Sequence, residues 1–324
     1  MIDEQGRQID YVRISLTDRC NLRCVYCMPE EGISQISHEQ ILSYDEILRI
    51  CRSLAGLGIR KIKLTGGEPL VRKGCASLLR EIKQIPGIEK VTLTTNGILL
   101  KEQMKDLAEA GLDAVNISLD TLDEERFMEL TRRARLQDVL EGLAEALKYP
   151  PIPGKINCVP VIDDTDNLIR IAELARKYPV HVRFIEMMPI GYGKQCRRLD
   201  EDYILQLLEQ EYGTLIPYEG NVGNGPAHYY TAEGFQGKIG FISAVTHKFC
   251  NECNRVRLTA EGYLKACLQF QIGTDLRKLI RGGCSDEELT DAIREAIKKK
   301  PVGHNFHETE TTEDEQRIMS QIGG

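Results

Sequence analysis

The sequence lacks the features of several protein classes. None of its apolar runs approaches the roughly 20 residues that a membrane-spanning helix needs. Its first residues, MIDEQGRQIDYVRIS, contain no basic segment followed by an apolar stretch, so we expect no signal peptide and a cytoplasmic location. The 42 lysines and arginines are outnumbered by 49 aspartates and glutamates, giving a net charge of −7. This balance argues against nonspecific nucleic-acid binding, which depends on a basic surface.

The cysteine content argues against a disulfide framework. The 324-residue chain has eleven cysteines, an odd number. In a reducing compartment such cysteines are metal ligands, catalytic thiols or core residues before they are disulfides. The chain is long enough for a well-buried core and for more than one domain.

Short β-branched runs alternate with helical patterns from residue 10 to about residue 187. The runs are YVRISL (11–16), IKLT (62–65), VTLTT (91–95), AVNISL (114–119), INCVPVI (156–162) and VHVRFIEM (180–187). The clearest helix begins at Ser43, a predicted N-cap with Glu46 three residues later, and similar patterns cover 101–110, 123–147 and 167–177. About six βα units predict a parallel sheet, either a partial TIM-type barrel or an open doubly wound sheet. Catalytic residues should then lie at the carboxyl ends of the strands.

The pattern changes after residue 200. A helix (EDYILQLLEQEY) and the Gly-rich segment EGNVGNGP precede three predicted antiparallel segments, AHYYTA, KIGFISA and RVRLTAEGYLKA. Helical stretches at 273–281 and 285–299 follow. We predict domains at residues 1–195 and 196–300, the second a smaller α+β unit, and a tail at 301–324. Its polar composition alone predicts that this tail is frayed.

Three cysteines, Cys20, Cys24 and Cys27, follow the first predicted strand. Charged neighbours argue against core cysteines, and a redox pair would leave Cys20 unused. A structural zinc site needs four ligands, and the nearest further candidate is His38, eleven residues past Cys27. An iron–sulfur cluster with one open iron fits three thiolates.

This spacing, with Tyr26 before the last cysteine, resembles the signature of radical S-adenosylmethionine enzymes. In that family the open iron of a 4Fe-4S cluster binds S-adenosylmethionine, and an electron from the cluster yields a 5′-deoxyadenosyl radical. The segment LTGGEPLV resembles the family's GGEP motif. The resemblance implies S-adenosylmethionine contacts at Tyr26, Gly67, Ser118 and Met188.

A second cysteine set lies in FCNECNRVRLTAEGYLKACL and comprises Cys250, Cys253 and Cys267. A zinc ribbon closed by Cys284 and a second open cluster both explain these residues. The remaining five cysteines are not assigned to a cluster. Cys51 and Cys158 are predicted core residues, whereas Cys75, Cys196 and Cys284 have no assigned partner.

The two cysteine sets, the CNRVRLT segment and the terminal IGG resemble the GTP 3′,8-cyclase family of molybdenum cofactor biosynthesis, from about residue 10 to the terminus. The resemblance implies a second 4Fe-4S cluster whose open iron holds the guanine. It also implies that the radical takes the C3′ hydrogen of GTP, that C3′ then bonds to C8, and that the product is (8S)-3′,8-cyclo-7,8-dihydroguanosine 5′-triphosphate. Arg257 and the Gly-Gly end, Gly323 and Gly324, are implied in catalysis.

The family further implies an external electron donor, product handoff to cyclic pyranopterin monophosphate synthase, and a homodimer. Two rivals stay open. One is another radical S-adenosylmethionine enzyme with an auxiliary cluster, for example one that modifies a peptide. The other is a zinc-stabilised binding module without catalysis.

A triphosphate needs lysine and arginine side chains at one mouth of an otherwise acidic protein. The positions that match GTP contacts of the family are Arg13, Lys63, Thr94, Lys155, Arg255, Val256 and Arg257. The position of Lys63 is commonly arginine in the family, and lysine lacks the planar guanidinium fork. We therefore expect a weaker or differently placed phosphate contact, with Lys61 as a candidate to share the role.

Overall fold

The computed structural model describes residues 1–34, 36–161, 164–220, 222–306 and 311–323. In this part of the chain, twelve strands form one sheet. They are β1 (Tyr11–Ser15), β2 (Lys61–Thr65), β3 (Lys90–Thr95), β4 (Ala114–Ser118), β5 (Gly154–Cys158), β6 (His181–Ile185), β7 (Ile216–Tyr218), β8 (His228–Thr231), β9 (Ile239–Ile242), β10 (Arg255–Leu258), β11 (Tyr263–Lys265) and β12 (Gly273–Asp275).

The sheet order is β12-β11-β10-β1-β2-β3-β4-β5-β6-β9-β8-β7. Strands β1 to β6 are parallel neighbours in chain order, which confirms the predicted α/β fold. The predicted antiparallel pairs of the second unit are also present, as β8 with β9 and β10 with β11. In addition, β9 pairs in parallel with β6, and β10 pairs in parallel with β1. The second unit therefore covers both edges of the six-stranded sheet, where unpaired backbone groups would otherwise be exposed.

The helices between these strands form the outer layer. They are α1 (Tyr44–Gly56), α2 (Cys75–Lys83), α3 (Leu100–Glu109), α4 (Glu124–Thr131), α5 (Leu136–Ala146), α6 (Thr165–Lys177), α7 (Glu201–Tyr212), α8 (Leu276–Arg281), α9 (Asp286–Lys298) and α10 (Met319–Ile322). Helix α1 begins as predicted: the Ser43 hydroxyl accepts from the Glu46 amide, and the Glu46 carboxylate accepts from the Ser43 amide. No helix in the described ranges has the length and apolar character to cross a bilayer.

Three local predictions need correction. The helical pattern at 123–147 forms two helices, because Arg132 adopts a left-handed conformation with φ of 55° and ends α4. The stretch at 273–281 begins with β12 and only then becomes α8. Strand β5 ends at Cys158, before the end of the predicted run, and position 162 of that run lies outside the described residues. Helix α2 has no counterpart among the predicted elements.

The residues of β1 alternate between the core and a central cavity. Val12 and Ile14 are fully buried among the helices, whereas Tyr11 and Arg13 line the cavity. The change from the barrel to the second unit falls between β6 and α7, and the domain boundaries at 195 and 300 stay a prediction. Cys51 and Cys158 are core residues, as predicted, and Cys75 joins them.

Candidate active site

A cavity of about 800 Å³ lies inside the curved sheet, within the size range of small-molecule sites. It brings together nearly all the residues that the sequence singles out. The predicted residues on its wall are Arg13, Cys20, Cys24, Tyr26, Cys27, Lys63, Gly67, Thr94, Ser118, Lys155, Met188, Cys250, Cys253, Arg255, Arg257 and Cys267.

The first three cysteines lie in the loop after β1, at the carboxyl end of the parallel sheet. The Cys27 amide donates to the Cys24 carbonyl at 2.9 Å, which turns the two side chains toward the cavity. The Cys20 sulfur accepts from the Leu22 amide at 3.4 Å and from Asn96 Nδ2 at 3.8 Å. Such N–H···S contacts are one means by which proteins tune an iron–sulfur cluster.

Burial raises the pKa of these thiols, to about 11 for Cys20 and to about 12 for Cys27. They therefore need a cationic partner to become thiolates. Within the described ranges, no three His, Cys, Asp or Glu side chains are placed to bind one metal ion. A preformed three-ligand zinc site is thus absent there. A cubane cluster takes its three thiolates on three different irons, so the donor set and its spacing fit this group. His38 is exposed and stands outside the cavity.

Tyr26 is held beside the cysteines by Asp120. Its hydroxyl donates to Asp120 Oδ2 at 2.6 Å, and the Val159 amide donates to Oδ1 at 2.8 Å. Burial raises the pKa of Asp120 to about 6. Ser118, two residues earlier at the end of β4, also faces the cavity.

The GGEP turn packs on the cysteine loop. A Cβ on Gly67 would lie 2.4 Å from the Arg19 carbonyl oxygen, so only glycine fits there. The Gly67 amide donates to the Thr17 carbonyl at 2.7 Å, and the Glu68 amide donates to that of Arg19 at 2.8 Å. The close approach that requires glycine is therefore to the protein's own backbone, and Gly67 also lines the cavity.

The second cysteine set faces the same cavity from β10, β11 and their flanking loops. Burial opposes ionisation of Cys253, but Arg255 and Lys300 outweigh it and lower the pKa of this thiol to about 7. Cys284 follows α8 and does not line the cavity, so the structure does not support a ribbon closed by this residue.

A buried ion pair between Asp3 and Arg7 supports the second cysteine loop from outside. Arg7 Nε donates to Asp3 at 2.7 Å, and Arg7 Nη1 donates to the carbonyls of Cys250 at 2.9 Å and Val302 at 3.0 Å. Arg7 Nη2 donates to the Pro301 carbonyl at 2.8 Å. The arginine therefore ties the N-terminal turn, the cysteine loop and the start of the tail together.

Cationic side chains follow the sheet register across the cavity wall. Arg257, Arg13 and Lys63 are register partners on β10, β1 and β2. Lys155 and Arg183 stand on β5 and β6, two residues apart in register. Neighbouring residues in register point to the same face, so the fold gathers charges that are far apart in sequence.

These cations repel one another and are partly stripped of water. Burial, then Arg183 and Arg13, lower the pKa of Lys63, and burial and Arg183 lower that of Lys155 to about 8. Lys63, Lys155 and Arg183 form no ion pair with a carboxylate in the described part of the chain. Buried charges normally have a counter-charge, so this wall is built for an anionic ligand.

Lys61 and Lys63 have different surroundings in the structure. Lys63 lines the cavity, whereas Lys61 forms an ion pair with Asp10 at 2.7 Å and does not line it. The expectation that Lys61 shares the phosphate contact is therefore not supported. Arg60 does not line the cavity either and pairs with Glu89 at 2.9 Å.

The C-terminal tail returns to the barrel. A buried ion pair joins Lys265 to Glu315, and Gln269 Nε2 donates to Asp314 Oδ1 at 2.9 Å. Gly323 ends beside β1 and β2, and its carbonyl accepts from Arg257 Nη1 at 2.9 Å. The expectation of a frayed tail, drawn from composition, is thus wrong for residues 311–323.

Gly323 has both a conformational and a steric need for glycine. Its φ is 86°, in the left-handed region. A Cβ at this position would lie 2.7 Å from Ser15 Cβ and 3.1 Å from Thr65 Oγ1. Gly323 is therefore fitted closely to the carboxyl ends of the first two strands.

Three predicted site residues are not placed on the wall of the cavity, and one of them is Gly323, which contacts the cavity residue Arg257 instead. The Val256 side chain lies in the core opposite Val12, because it alternates with Arg255 and Arg257, so only its backbone is available to a ligand. Gly324 lies outside the described residues.

The sequence analysis did not single out several cavity residues, among them Asn96, Asp120, Asn157 and Arg183. Arg183 Nε donates to Asn157 Oδ1 at 2.9 Å, which orients the guanidinium. Both belong to predicted strands, and the two-residue alternation from Lys155 would have marked Asn157 as inward-facing. Asn96 directly follows β3 and Asp120 lies two residues after β4, at the strand ends where functional residues are expected.

Comparison with known families agrees with this geometry. Residues 14–185 match the Radical SAM superfamily, and residues 180–306 match the family described as Molybdenum Cofactor Synthesis C. The barrel and its cysteine loop thus define a radical S-adenosylmethionine protein.

Curated relatives narrow the class. "GTP 3′,8-cyclase" of Clostridium perfringens (strain SM101 / Type A) is 48% identical over 325 residues, covering 100% of both chains. The protein of that name from Syntrophomonas wolfei is 47% identical over 328 residues, again covering 100% of both. The chain belongs to the GTP 3′,8-cyclase family.

Solved structures share the fold at low identity. Streptococcus suis SuiB bound to precursor peptide SuiA has a TM-score of 0.64 at 16% identity, over 91% of this chain and 67% of that one. The S-adenosylmethionine-bound form of SuiB has a TM-score of 0.61, over 83% of this chain and 63% of that one. This likeness shows the fold alone and does not bear on the substrate.

Proposed function

We propose that the protein is a radical S-adenosylmethionine enzyme that converts GTP to (8S)-3′,8-cyclo-7,8-dihydroguanosine 5′-triphosphate, the first step of molybdenum cofactor biosynthesis. The observation that carries the proposal is the shared cavity. A three-cysteine loop at the carboxyl end of the strands faces the same space as the buried cations Lys63, Lys155 and Arg183, which form no ion pair with a carboxylate in the described ranges. A radical source and a polyanionic substrate are both required by this reaction.

Cys20, Cys24 and Cys27 would hold the first 4Fe-4S cluster. When S-adenosylmethionine is bound there, it supplies the 5′-deoxyadenosyl radical. Gly67, Ser118 and Met188 are on the cavity wall and would contact this cofactor, and Tyr26 is fixed nearby by its hydrogen bond to Asp120.

The cationic wall would bind the triphosphate. Arg13, Lys63, Lys155, Arg255 and Arg257 are placed on four strands, so they can surround a phosphate chain from several sides. Thr94, whose hydroxyl accepts from Asn116 Nδ2 at 3.2 Å, would add a neutral contact. Binding would thus hold the ribose in a fixed orientation while excluding water.

Cys250, Cys253 and Cys267 would hold a second 4Fe-4S cluster and orient the guanine. Arg257 would act with the end of the tail, since its hydrogen bond to the Gly323 carbonyl places the guanidinium at the cavity wall. We further propose a cytoplasmic homodimer that takes electrons from an external donor. Its product would pass to cyclic pyranopterin monophosphate synthase.

The test uses anaerobically reconstituted protein with dithionite and S-adenosylmethionine, and follows 5′-deoxyadenosine with and without GTP. We expect 5′-deoxyadenosine formation that depends on GTP, with matching loss of GTP. Formation indifferent to GTP would leave another radical enzyme, such as one acting on a peptide. Colourless protein that contains zinc in place of iron, and forms no 5′-deoxyadenosine, would leave the binding module.

A further inference from the structure

The most exposed residues of the described cavity lining lie at one side of the cavity. The exposed members of the lining are Lys90, Pro153, Tyr218 and Gly225. Lys90 begins β3 and Pro153 directly precedes β5, whereas Tyr218 and Gly225 belong to the β7–β8 hairpin. None of them lies in the loop after β1, which carries the first cysteine set, or in the loops that follow β2 to β6. We call these four residues the mouth of the cavity.

The mouth is positively charged. Lys238, immediately before β9, lines the cavity, and its ammonium lies 4.1 Å from the centre of the Tyr218 ring. Its carbonyl accepts from the Val182 amide at 2.9 Å, which places it beside the start of β6. Lys90 and Lys238 thus stand on different strands at the rim of one opening.

Neighbouring groups do not cancel this charge. Asp113, the acidic residue beside Lys90 in the lining, is already paired with Lys83 at 2.8 Å and accepts from the Val91 amide at 2.6 Å. Lys90 and Lys238 form no ion pair among the residues that the structure describes.

The pKa of His181, which lies just inside the mouth, reflects burial and the positive charge of the surrounding side chains. Burial, followed by Lys155, Lys238 and Arg183, lowers the pKa of this imidazole to about 4. His181 is the register partner of Lys155 on the neighbouring strand. The imidazole is therefore neutral at physiological pH, because burial and, after it, the nearby cations disfavour its protonated form.

We propose that the nucleotide enters through this mouth, and that Lys90 and Lys238 form an outer anion site that captures the triphosphate before it reaches the inner cations. The inference rests on the proposed function and adds a route and two residues to it. It concerns the rate of capture, since clefts of one charge sign accelerate the association of oppositely charged ligands.

The order of groups along the cavity gives the direction of travel. Lys90 and Lys238 lie at the amino-terminal ends of their strands, Lys155 and Lys63 are inside, and the first cysteine set follows the carboxyl end of β1. A nucleotide that moves base first leaves its triphosphate trailing toward the mouth. It then reaches the inner cations with the base and ribose facing the two cysteine sets.

The β7–β8 hairpin approaches Lys155 closely at Gly223, beside the proposed route. A Cβ on Gly223 would lie 3.0 Å from the Lys155 ammonium, and its φ is 115°. Glycine therefore lets the rim approach Lys155 without filling the passage.

The experiment is anaerobic stopped-flow binding of fluorescent methylanthraniloyl-GTP to the cluster-loaded protein over a range of salt concentrations. The test variant is Lys90→Gln with Lys238→Gln. The matched control is Lys105→Gln with Lys298→Gln, which removes the same charge at exposed lysines of α3 and α9 outside the cavity.

We expect the test variant to lower the association rate constant about fivefold at low salt, with a smaller loss at high salt because screening removes steering. Its dissociation rate should change less than about twofold, and the control should match wild type. An unchanged association rate would overturn the proposal. So would a change confined to dissociation, because the lysines would then contact the bound nucleotide.

Failure of this proposal can be told from failure of the proposed function. If the protein is not a GTP enzyme, the wild type neither binds the analogue nor shows GTP-dependent 5′-deoxyadenosine. If only the route is wrong, the wild type does both, and the test variant associates at the control rate.

Discussion

Gly323→Ala is a stringent test of the docked tail. The new Cβ would lie 2.7 Å from Ser15 Cβ, inside any normal contact distance. Alanine would also have to adopt a φ of 86°, which costs about 1–2 kcal/mol. Overpacking adds about 1–3 kcal/mol, so the docked end should lose about 2–5 kcal/mol relative to an undocked one.

That loss corresponds to a shift of about 30-fold to several thousand-fold toward the undocked tail. The rest of the tail should stay in place, because Glu315 and Asp314 are anchored independently by Lys265 and Gln269. We therefore expect cyclised product to fall by at least about tenfold, while the melting temperature and the iron content stay at wild-type values.

The assay is anaerobic turnover with product quantified by mass spectrometry, alongside thermal unfolding. Gly283→Ala is the matched control, since its φ is 85° but no atom lies within 4 Å of a Cβ there. This variant has the same strain of alanine at a left-handed φ, but far from the cavity, so it should form cyclised product at the wild-type rate. Wild-type turnover by Gly323→Ala would refute the reasoning that the tail acts from this position.

Three further predictions concern the cluster ligands, their support and the cationic wall. Cys250→Ser should reduce iron from about eight to about four per chain, measured by iron analysis and Mössbauer spectroscopy, while reductive cleavage of S-adenosylmethionine persists. Arg7→Gln should cause a similar partial iron loss without removing a ligand, because the Cys250 carbonyl loses its donor; full iron content would contradict this support. GTP affinity, measured by equilibrium binding, should fall as pH rises through about 8, where Lys155 loses its proton. Lys155→Arg should abolish that pH step, and a step that survives in this variant would assign it to another group.

The pH prediction has a defined sign. The pKa of Lys155 is lowered from 10.5 to about 8 by burial and by Arg183. Between these two pH values, the unfolded chain binds more protons at this lysine than the folded protein without GTP does. The free energy of unfolding of the GTP-free protein therefore rises with pH over that window. Bound phosphate favours the protonated amine, so GTP opposes this trend and binds best below pH 8.

Local sequence patterns predict the barrel well because each strand and most helices carry their own signals. The capping box at Ser43 and Glu46 marks the start of α1 without any tertiary information. Helix α2 lacks such a signal, since Gly74 caps it without a side-chain hydrogen bond. The break after α4 is tertiary in origin, because Arg132 Nη1 donates to the carbonyls of Arg23 and Met28 in the cysteine loop.

Site residues that belong to a sequence motif can be predicted from the sequence. Site residues that come together only through strand pairing or docking of the tail cannot. The cysteine sets and the GGEP turn stand out at the level of sequence. Arg183 does not, because a single arginine on a strand has meaning only beside Lys155 and Lys63. The tail is the extreme case: its docking depends on a buried charge pair with Lys265, fifty residues away, and composition contains no trace of that partner.

The central claim is that this cavity directs a radical to the ribose of GTP. The most direct measurement supplies GTP carrying deuterium at C3′ and analyses the 5′-deoxyadenosine by mass spectrometry. We expect 5′-deoxyadenosine that contains one deuterium and forms together with cyclised nucleotide. Unlabelled 5′-deoxyadenosine formed at the same rate with and without GTP would contradict it.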